Sequence, residues 1–427
     1  MRWIGRCWHK SRLQAPGSGQ VSISWSAVAG ATTYNLYYST TSPVSKATGT
    51  KILGVTSPSV VTPLTRGTPY YFVVTAANAD GESAESSQVT ATPNPPSPTF
   101  SQGDLTGTWN VQVLLAGTTP GWYRFTAAVD GDGNVTISNP SSSSGVVIPA
   151  IPKWSITPGT GLDNTAGVVI ETGAGAKPTF HAKMSSSKMM MVGTSTYGTG
   201  TYALHFCMKL TGVLYSDADL ANKTFEYNRI YTGASKIWEI GSGSINASNQ
   251  VTITSIRDSN GVQDTPPANF TTFSVNSTGV VTIAIEPNFV GIMSHDKQII
   301  VGVTTDSSGK YSLRIFQMRG QTYTQEDLAG TYIVRAFRTG PAGWAYATFN
   351  TNNTGTTTCL QFLGEDGNNV CIAPYNISIS STGNVTVPNP DEAGGLMSFG
   401  KDMVVIVGYS PLESAVKTGS FIEIRIE

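Results

Sequence analysis

The sequence predicts an all-β chain: a β-sandwich followed by three repeated antiparallel β modules. Three observations carry this. Apolar and polar residues alternate with period two in short runs, as in Val21-x-Ile23-x-Trp25 and Tyr34-x-Leu36-x-Tyr38, which sets one strand face against a core. Gly, Pro, Asn and Ser break these runs every few residues, and no segment carries a convincing helical period. Finally, the last three-quarters repeats itself. Asp104-Leu105-Thr106-Gly107-Thr108-Trp109 returns as Asp219-Leu220 running to Phe225, and as Asp327-Leu328-Ala329-Gly330-Thr331-Tyr332. Trp122, Trp238 and Trp344 follow 13, 13 and 12 residues after the aromatic. Met184-Ser185-x-x-Lys188 returns as Met293-Ser294-x-x-Lys297 and Met397-Ser398-x-x-Lys401, each before an apolar run ending in Val-Gly.

Composition narrows the classes. A length of 427 residues allows about two to four domains. Charged residues make up 12%, roughly half the ~25% of an average domain. A net charge of −1 with 39% hydrophobic residues argues against disorder, which pairs high charge with low hydrophobicity. It also argues against nucleic acid as partner, since phosphate binding needs a basic face. No uninterrupted apolar run is long enough to predict a membrane span. Four cysteines are too few for a disulfide scaffold.

Residues 1–11 are expected to be a disordered or truncated start. The first 14 residues carry five basic side chains and no apolar core of a secretory signal, so a misassigned start or a missing upstream end is expected there.

Residues 12–93 read as a sandwich of short strands with turns at Gly30, Ser42-Pro43, Gly49 and Ser57-Pro58. This segment resembles a fibronectin type III domain. Val21-Ser22-Ile23-Ser24-Trp25 matches the strand with a buried Trp, and Gly30 to Tyr37 the next strand. Leu64 and Tyr70 match the Leu-and-Tyr corner, and Ala76 to Ser83 the last hairpin. Only Leu13-Gln14-Ala15 matches the family's first strand, which agrees with a start inside a longer coding region. The chain has no Arg-Gly-Asp, so integrin-type adhesion is not carried over. The resemblance implies a core of Trp25, Tyr34, Leu64 and Tyr70. Residues 94–103 hold Pro95, Pro96 and Pro98 and predict a semi-rigid spacer.

The repeats are bounded at 104–213, 214–318 and 319–427, with about eight strands each. Two layouts fit: three tandem up-and-down barrels, or a six-bladed propeller of four-stranded blades. Leu105 to Trp109, with Asp130-Gly131-Asp132-Gly133-Asn134, resembles the first hairpin of avidin-type barrels, and the Gly-x-Trp is similar to that of lipocalins. Neither similarity transfers a biotin or lipid site.

Candidate binding residues are Trp122, Trp238, Trp344 and Trp154. Flat aromatic faces stack on sugars and favour interfaces, although a Trp recurring at one repeat position reads first as a core anchor. Asp104, Asp219 and Asp327 read as turn residues bonding to backbone. Lys188, Lys297 and Lys401 read as solvated hairpin tips. Asp130 to Asn134 reads as a turn without the distal Glu of a calcium loop. The four His residues are scattered, so no metal site is predicted; no cofactor and no catalytic residue is assigned. Cys359 and Cys371 flank a Gly-rich turn. Pairing their strands around Glu365 sets them opposite each other, within bridging range, while Cys7 and Cys207 are expected not to pair.

These readings point to a non-catalytic modular protein, extracellular or at the cell surface, with an extracellular glycan or a surface protein as partner. Two alternatives stand beside it: a carbohydrate-active enzyme with a propeller-centre site, or a small-molecule carrier with one cavity per barrel.

Overall fold

The computed structural model describes residues 12–17, 20–65, 68–91, 93, 100–157, 168–171, 180–232, 238–258, 263–264, 271–339, 342–352, 354–364, 374–386, 392–397, 403–409 and 420–426. The predicted start, 1–11, and most of the spacer lie outside these residues. The chain divides into two compact units, Met1–Pro98 and Thr99–Glu427.

The first unit is a two-sheet sandwich. Arg12–Gly17 pairs with Gln20–Ser24, which pairs with Ser59–Val61. The facing sheet centres on Thr33–Ser39 and Tyr70–Asn78. The first strand therefore runs six residues, further than Leu13-Gln14-Ala15, and is complete enough to pair antiparallel with its neighbour. Period-two placement turns Val21, Ile23, Trp25, Leu36, Phe72 and Val74 inward, where they meet Leu64 and Tyr70. Tyr34 packs on this core, its ring 5.4 Å from that of Trp25. The Tyr70 hydroxyl accepts a hydrogen bond from the Thr65 N–H at 3.0 Å, so burying its ring leaves no lone polar group.

In the second unit each repeat closes on itself. The first barrel is one sheet of eight strands: Gly107–Gly117, Gly121–Val129, Val135–Ser142, Trp154–Thr157, Val168–Glu171, Phe180–Met184, Met190–Gly198 and Thr201–Leu210. Its last strand pairs with its first from Thr201↔Gly117 to Leu210↔Thr108. The seam between the third and fourth strands is held by the Asn134↔Lys153 bridge.

The second barrel runs through Thr224–Thr232, Trp238–Ile245, Gln250–Asp258, Thr271–Val275, Val280–Ile283, Glu286–Met293, Ile299–Thr305 and Tyr311–Met318, with Gln263–Asp264 as a side hairpin. The third repeats the order from Gly330–Thr339 and Ala342–Thr351 to Met403–Tyr409 and Ser420–Ile426. Its fourth strand is shared by Tyr375–Asn376, which pairs back, and Ser378–Ile379, which pairs forward. The six-bladed propeller is therefore not formed. A propeller blade ends at its fourth strand, whereas here the eighth strand of each repeat returns to the first. Closure removes the free edges that an open sheet exposes.

One end of each barrel is fastened by the same device. A short 3-10 turn (Gln102–Leu105, Asp217–Asp219, Gln325–Leu328) precedes the first strand. Leu105 or Leu328 at its end, or Leu220 just after it, is fully buried. The Asp104 carboxylate accepts from the Ser101 N–H at 2.7 Å, as Asp219 does from Ser216 at 2.9 Å and Asp327 from Thr324 at 2.7 Å. Gln102 donates to the Trp154 carbonyl and accepts from the Ile156 N–H across the seam; Gln325 does the same with Ile377 and Ile379. Gln102 and Gly103 thus belong to the barrel, not to the predicted spacer. The hairpin-tip lysines complete the clasp. Lys188 Nζ reaches Asp104 at 3.0 Å and Lys297 Nζ reaches Asp219 at 2.8 Å. These two are half-buried ion-pair partners rather than solvated tips; Lys401 lies outside the described residues.

The barrels share a core. One apolar cluster collects outward-facing residues of all three, including Leu114, Trp122, Phe206, Ile230, Trp238, Val301, Ile315, Phe337 and Met403. The contacts run in one sense. The first two strands of barrel one touch the last two of barrel two, those of barrel two touch Met403–Tyr409, and those of barrel three touch the last two of barrel one. This head-to-tail arrangement closes after three members, as a cyclic heterologous interface does.

Candidate functional site

The predicted tryptophans lie at these junctions or inside a barrel. Trp122 is 6% exposed and Trp238 4%. The Trp122 Nε1–H donates to Thr305 Oγ1 of the next barrel at 2.8 Å. Trp344, half-buried, donates to Thr196 Oγ1 of the first barrel at 3.2 Å and stacks on Tyr346. Thr196 and Thr305 each stand three residues after the Gly of the Val-Gly motif; Pro411 holds that place in the third repeat. Trp154, 2% exposed, stacks on Phe180 and meets Trp109 edge-on inside the first barrel. Burial of Trp122, Trp238 and Trp154 removes them as ligand platforms. The recurrence of Trp122, Trp238 and Trp344 reflects barrel-to-barrel packing, because a closed ring needs the same anchor at each joint.

Cys207 is a free, fully buried thiol that burial holds far up in pKa. Cys359 is disulfide-bonded. Its predicted partner, Cys371, lies outside the described residues.

The interiors are not equivalent. In the first barrel Trp109, Phe125, Phe180 and Trp154 fill the core, and His205 shares a 2.7 Å hydrogen bond with Ser195 Oγ. Burial holds that imidazole neutral, with its pKa down to about 3. The interior of the second barrel is apolar at the clasped end, where Phe225, Phe273, Phe289 and Phe316 meet. It is charged at the opposite end. Along the first strand Phe225, Tyr227, Arg229 and Tyr231 share one phase, so all four face inward. Arg229 stands directly across from Glu239 on one side and Arg314 on the other, and Glu239 stands across from Asp258. Val113, Tyr123 and His205 hold these places in the first barrel, and Ala336, Ala345 and Glu423 in the third. Three equivalent apolar cavities are therefore absent among the described residues.

The charged end is tightly bonded. Arg314 Nη2 lies 2.6 Å from Glu286 Oε1. Arg229 Nε donates to Ser312 Oγ at 2.9 Å, its Nη2 lies 3.9 Å from Asp306, and its guanidinium covers the Tyr231 ring at 4.3 Å. The Tyr227 and Tyr231 hydroxyls donate to Glu239 at 2.6 and 3.2 Å. Burial and the Glu239 charge push the Tyr227 phenol well above its ordinary pKa. Burial and the neighbouring Arg314 lower the pKa of Arg229. At Arg314 burial acts in the same direction, but the Glu286 and Glu239 charges outweigh it and raise the pKa. Glu286 opens its strand and Asp306 follows the strand Ile299–Thr305, so both stand at the rim, partly exposed. Barrel mouths are common places for ligand sites, and this is the one mouth in the chain where two guanidiniums are set opposite carboxylates among the described residues.

Sequence reasoning missed this set because none of its members recurs. One signal was present: Arg229 falls in phase with Phe225, whose repeat position marks it as inward. An open groove of about 510 Å³ elsewhere, lined by Thr354, Thr356, Asn376, Ile377, Ser378 and Thr386, carries no charged or aromatic side chain.

Residues 11–92 match the fibronectin type III domain family model, so the chain carries an N-terminal fibronectin type III domain. No curated protein matches the chain. Among solved structures, the isotype 1 transferrin binding protein B from serogroup B Neisseria meningitidis is similar at 8% identity and a TM-score of 0.24, covering 83% of each chain. A mutant of the vaccine antigen transferrin binding protein B from Haemophilus parasuis is similar at 11% identity and 0.24, covering 84% of this chain and 82% of its own. No helix among the described residues is long and apolar enough to cross a membrane.

Proposed function

We propose that the chain is a non-catalytic, modular binding protein of the extracellular or cell-surface kind. In this reading the fibronectin type III domain is a spacer, the three-barrel unit is the binding body, and the ligand is an extracellular glycan or the glycan of a surface protein. The observation that carries it is the charged mouth of the second barrel, set among features that otherwise recur. Clasp and ring follow from the repeat; the Arg229, Arg314, Glu239 and Glu286 set has no counterpart in the other two barrels. Polar groups converging at one end of an otherwise apolar barrel are what a binding site requires.

Catalysis is disfavoured by how the carboxylates are held. Glycoside hydrolysis needs one carboxyl kept protonated as a general acid opposite a second, ionised one. Here Glu286 is ion-paired with Arg314 and Glu239 accepts from two phenols. Burial would raise the Asp306 pKa, but hydrogen bonds from Ser308 and Lys310 hold it low. Incubation with a panel of polysaccharides tests the reading. Retention without product is expected; released oligosaccharides that vanish on changing Glu239 and Glu286 together to Gln would overturn it.

A further inference from the structure

The mouth of the second barrel carries three buried polar atoms with no hydrogen-bond partner among the described residues: Arg229 Nη2, Arg314 Nε and Glu286 Oε2. Arg229 and Arg314 are 7% and 8% exposed. The Asp306 carboxylate lies 3.9 Å from Arg229 Nη2, beyond hydrogen-bond range. A buried charged N–H without an acceptor is costly and rare in folded proteins. Two donors and one acceptor are thus left open, on two arginines in direct register and on a carboxylate 2.6 Å from one of them.

The charges around them select the ligand. Glu239, Asp258, Glu286 and Asp306 give four carboxylates against two guanidiniums. An anion offers acceptors only and meets the carboxylates; an ammonium offers donors only and meets the guanidiniums. A hydroxyl both donates and accepts. Two hydroxyls on adjacent carbons can give a hydrogen to Glu286 while accepting from Arg229 and Arg314.

We propose that this mouth binds a neutral sugar through a vicinal diol, with Glu286 Oε2 accepting and Arg229 Nη2 and Arg314 Nε donating. This rests on the mouth being the ligand site of a glycan-binding protein. Glu239, braced by Tyr227 and Tyr231, positions Arg229 from the neighbouring strand.

The test uses the full chain and pyranosides that differ in charge: methyl mannopyranoside and methyl galactopyranoside as neutral diols, glucuronate as anion, glucosamine as cation. Calorimetry gives affinity, and amide shifts locate the site. Neutral glycosides are expected to bind with an affinity unchanged between about 50 and 500 mM salt, because no net charge is screened. Glu286→Gln and Glu286→Asp should each weaken binding at least about ten-fold, a loss of about 1.4 kcal/mol. Asp104→Asn, at the clasped end of another barrel, should leave affinity unchanged. Two Glu286 variants are used so that one that fails to fold does not leave the question open. Preferred binding of glucuronate or glucosamine, weakened by salt, would keep the mouth as the site and overturn the neutral diol. Polysaccharide retention that survives the Glu286 variants would overturn this mouth and leave glycan binding standing. No binding of any pyranoside, with the open atoms filled by water alone, would overturn the proposal.

Discussion

Lys297 and Asp219 meet at 2.8 Å across 78 residues of chain, in the place where Lys188 and Asp104 meet in the first barrel. Each lysine sits in a left-handed turn conformation, with φ of 63° and 62°, and each aspartate also caps its 3-10 turn. The aspartate therefore makes two kinds of strong bond, while the lysine makes one ion pair and lies over an aromatic ring, Phe100 or Tyr215. Asp104→Ala is expected to cost about 1–2 kcal/mol, from a lost cap and a lost ion pair. Lys188→Met is expected to cost less than about 1 kcal/mol. Chemical denaturation measures both; equal losses would show that the capping bonds contribute nothing.

The junction hydrogen bond between Trp122 and Thr305 gives a second test. Trp122→Phe keeps an aromatic ring and removes the donor, with an expected cost of about 1 kcal/mol beyond the smaller ring. Trp122→Ala empties the junction and should cost about 3–5 kcal/mol. Thr305→Val, combined with Trp122→Phe in a double-mutant cycle, should show positive coupling. Additive losses would mean that the bond is not formed in solution.

In the sandwich, Glu82 supplies a pH dependence. Burial pushes its carboxyl up, but hydrogen bonds from Thr75, Tyr37, Asn35 and Lys51 outweigh that and bring its pKa from 4.5 to about 2. A folded-state pKa below the unfolded one adds stability that is fully present above the unfolded value and lost as pH falls through the folded value. The domain should therefore lose stability between pH 4.5 and about 2. Glu82→Gln should flatten that part of the curve, and an unchanged slope in melting temperature against pH would refute the assignment.

Much of this was legible in the sequence because it repeats. Trp109, Phe225 and Tyr332 are buried at equivalent register positions, as matched spacings predict, since equal chain lengths between anchors fix equal registers. Asp104 and Lys188 were each visible as members of a recurring set. Their pairing was not, because 84 residues separate them and only closure of the barrel brings them together. Barrel and propeller share the same strands; the choice lies in whether Leu210 returns to Thr108, a contact that local pattern does not encode. The charged mouth was hidden for the opposite reason. Arg229 and Arg314 recur nowhere, and an inward charge is visible only once the inward phase is known.

For the cysteines, Cys359 is bonded, and Cys371, which the sequence pattern sets opposite it, is the partner we propose. Peptide mapping without reductant is expected to recover residues 359 and 371 in one cross-linked fragment, with Cys207 alkylated only after unfolding because it is buried. A fragment joining Cys359 to Cys7 would refute the pairing. Removing the bridge by Cys359→Ser should cost up to about 3 kcal/mol, as for a short closed loop.

The head-to-tail ring sets the number of repeats. In a solenoid each unit meets only its neighbours, so units can be added or lost with the ends capped. Here barrel one's outer face is covered by barrel two, barrel two's by barrel three, and barrel three's by barrel one. Excising any one barrel would bare a giving face and a receiving face together, each apolar and complementary to the other. Two such molecules would join end to end without closing, which is the geometry of a filament. The chain is therefore locked at three: evolution can vary what each barrel holds inside, as the unlike interiors show, but not how many there are.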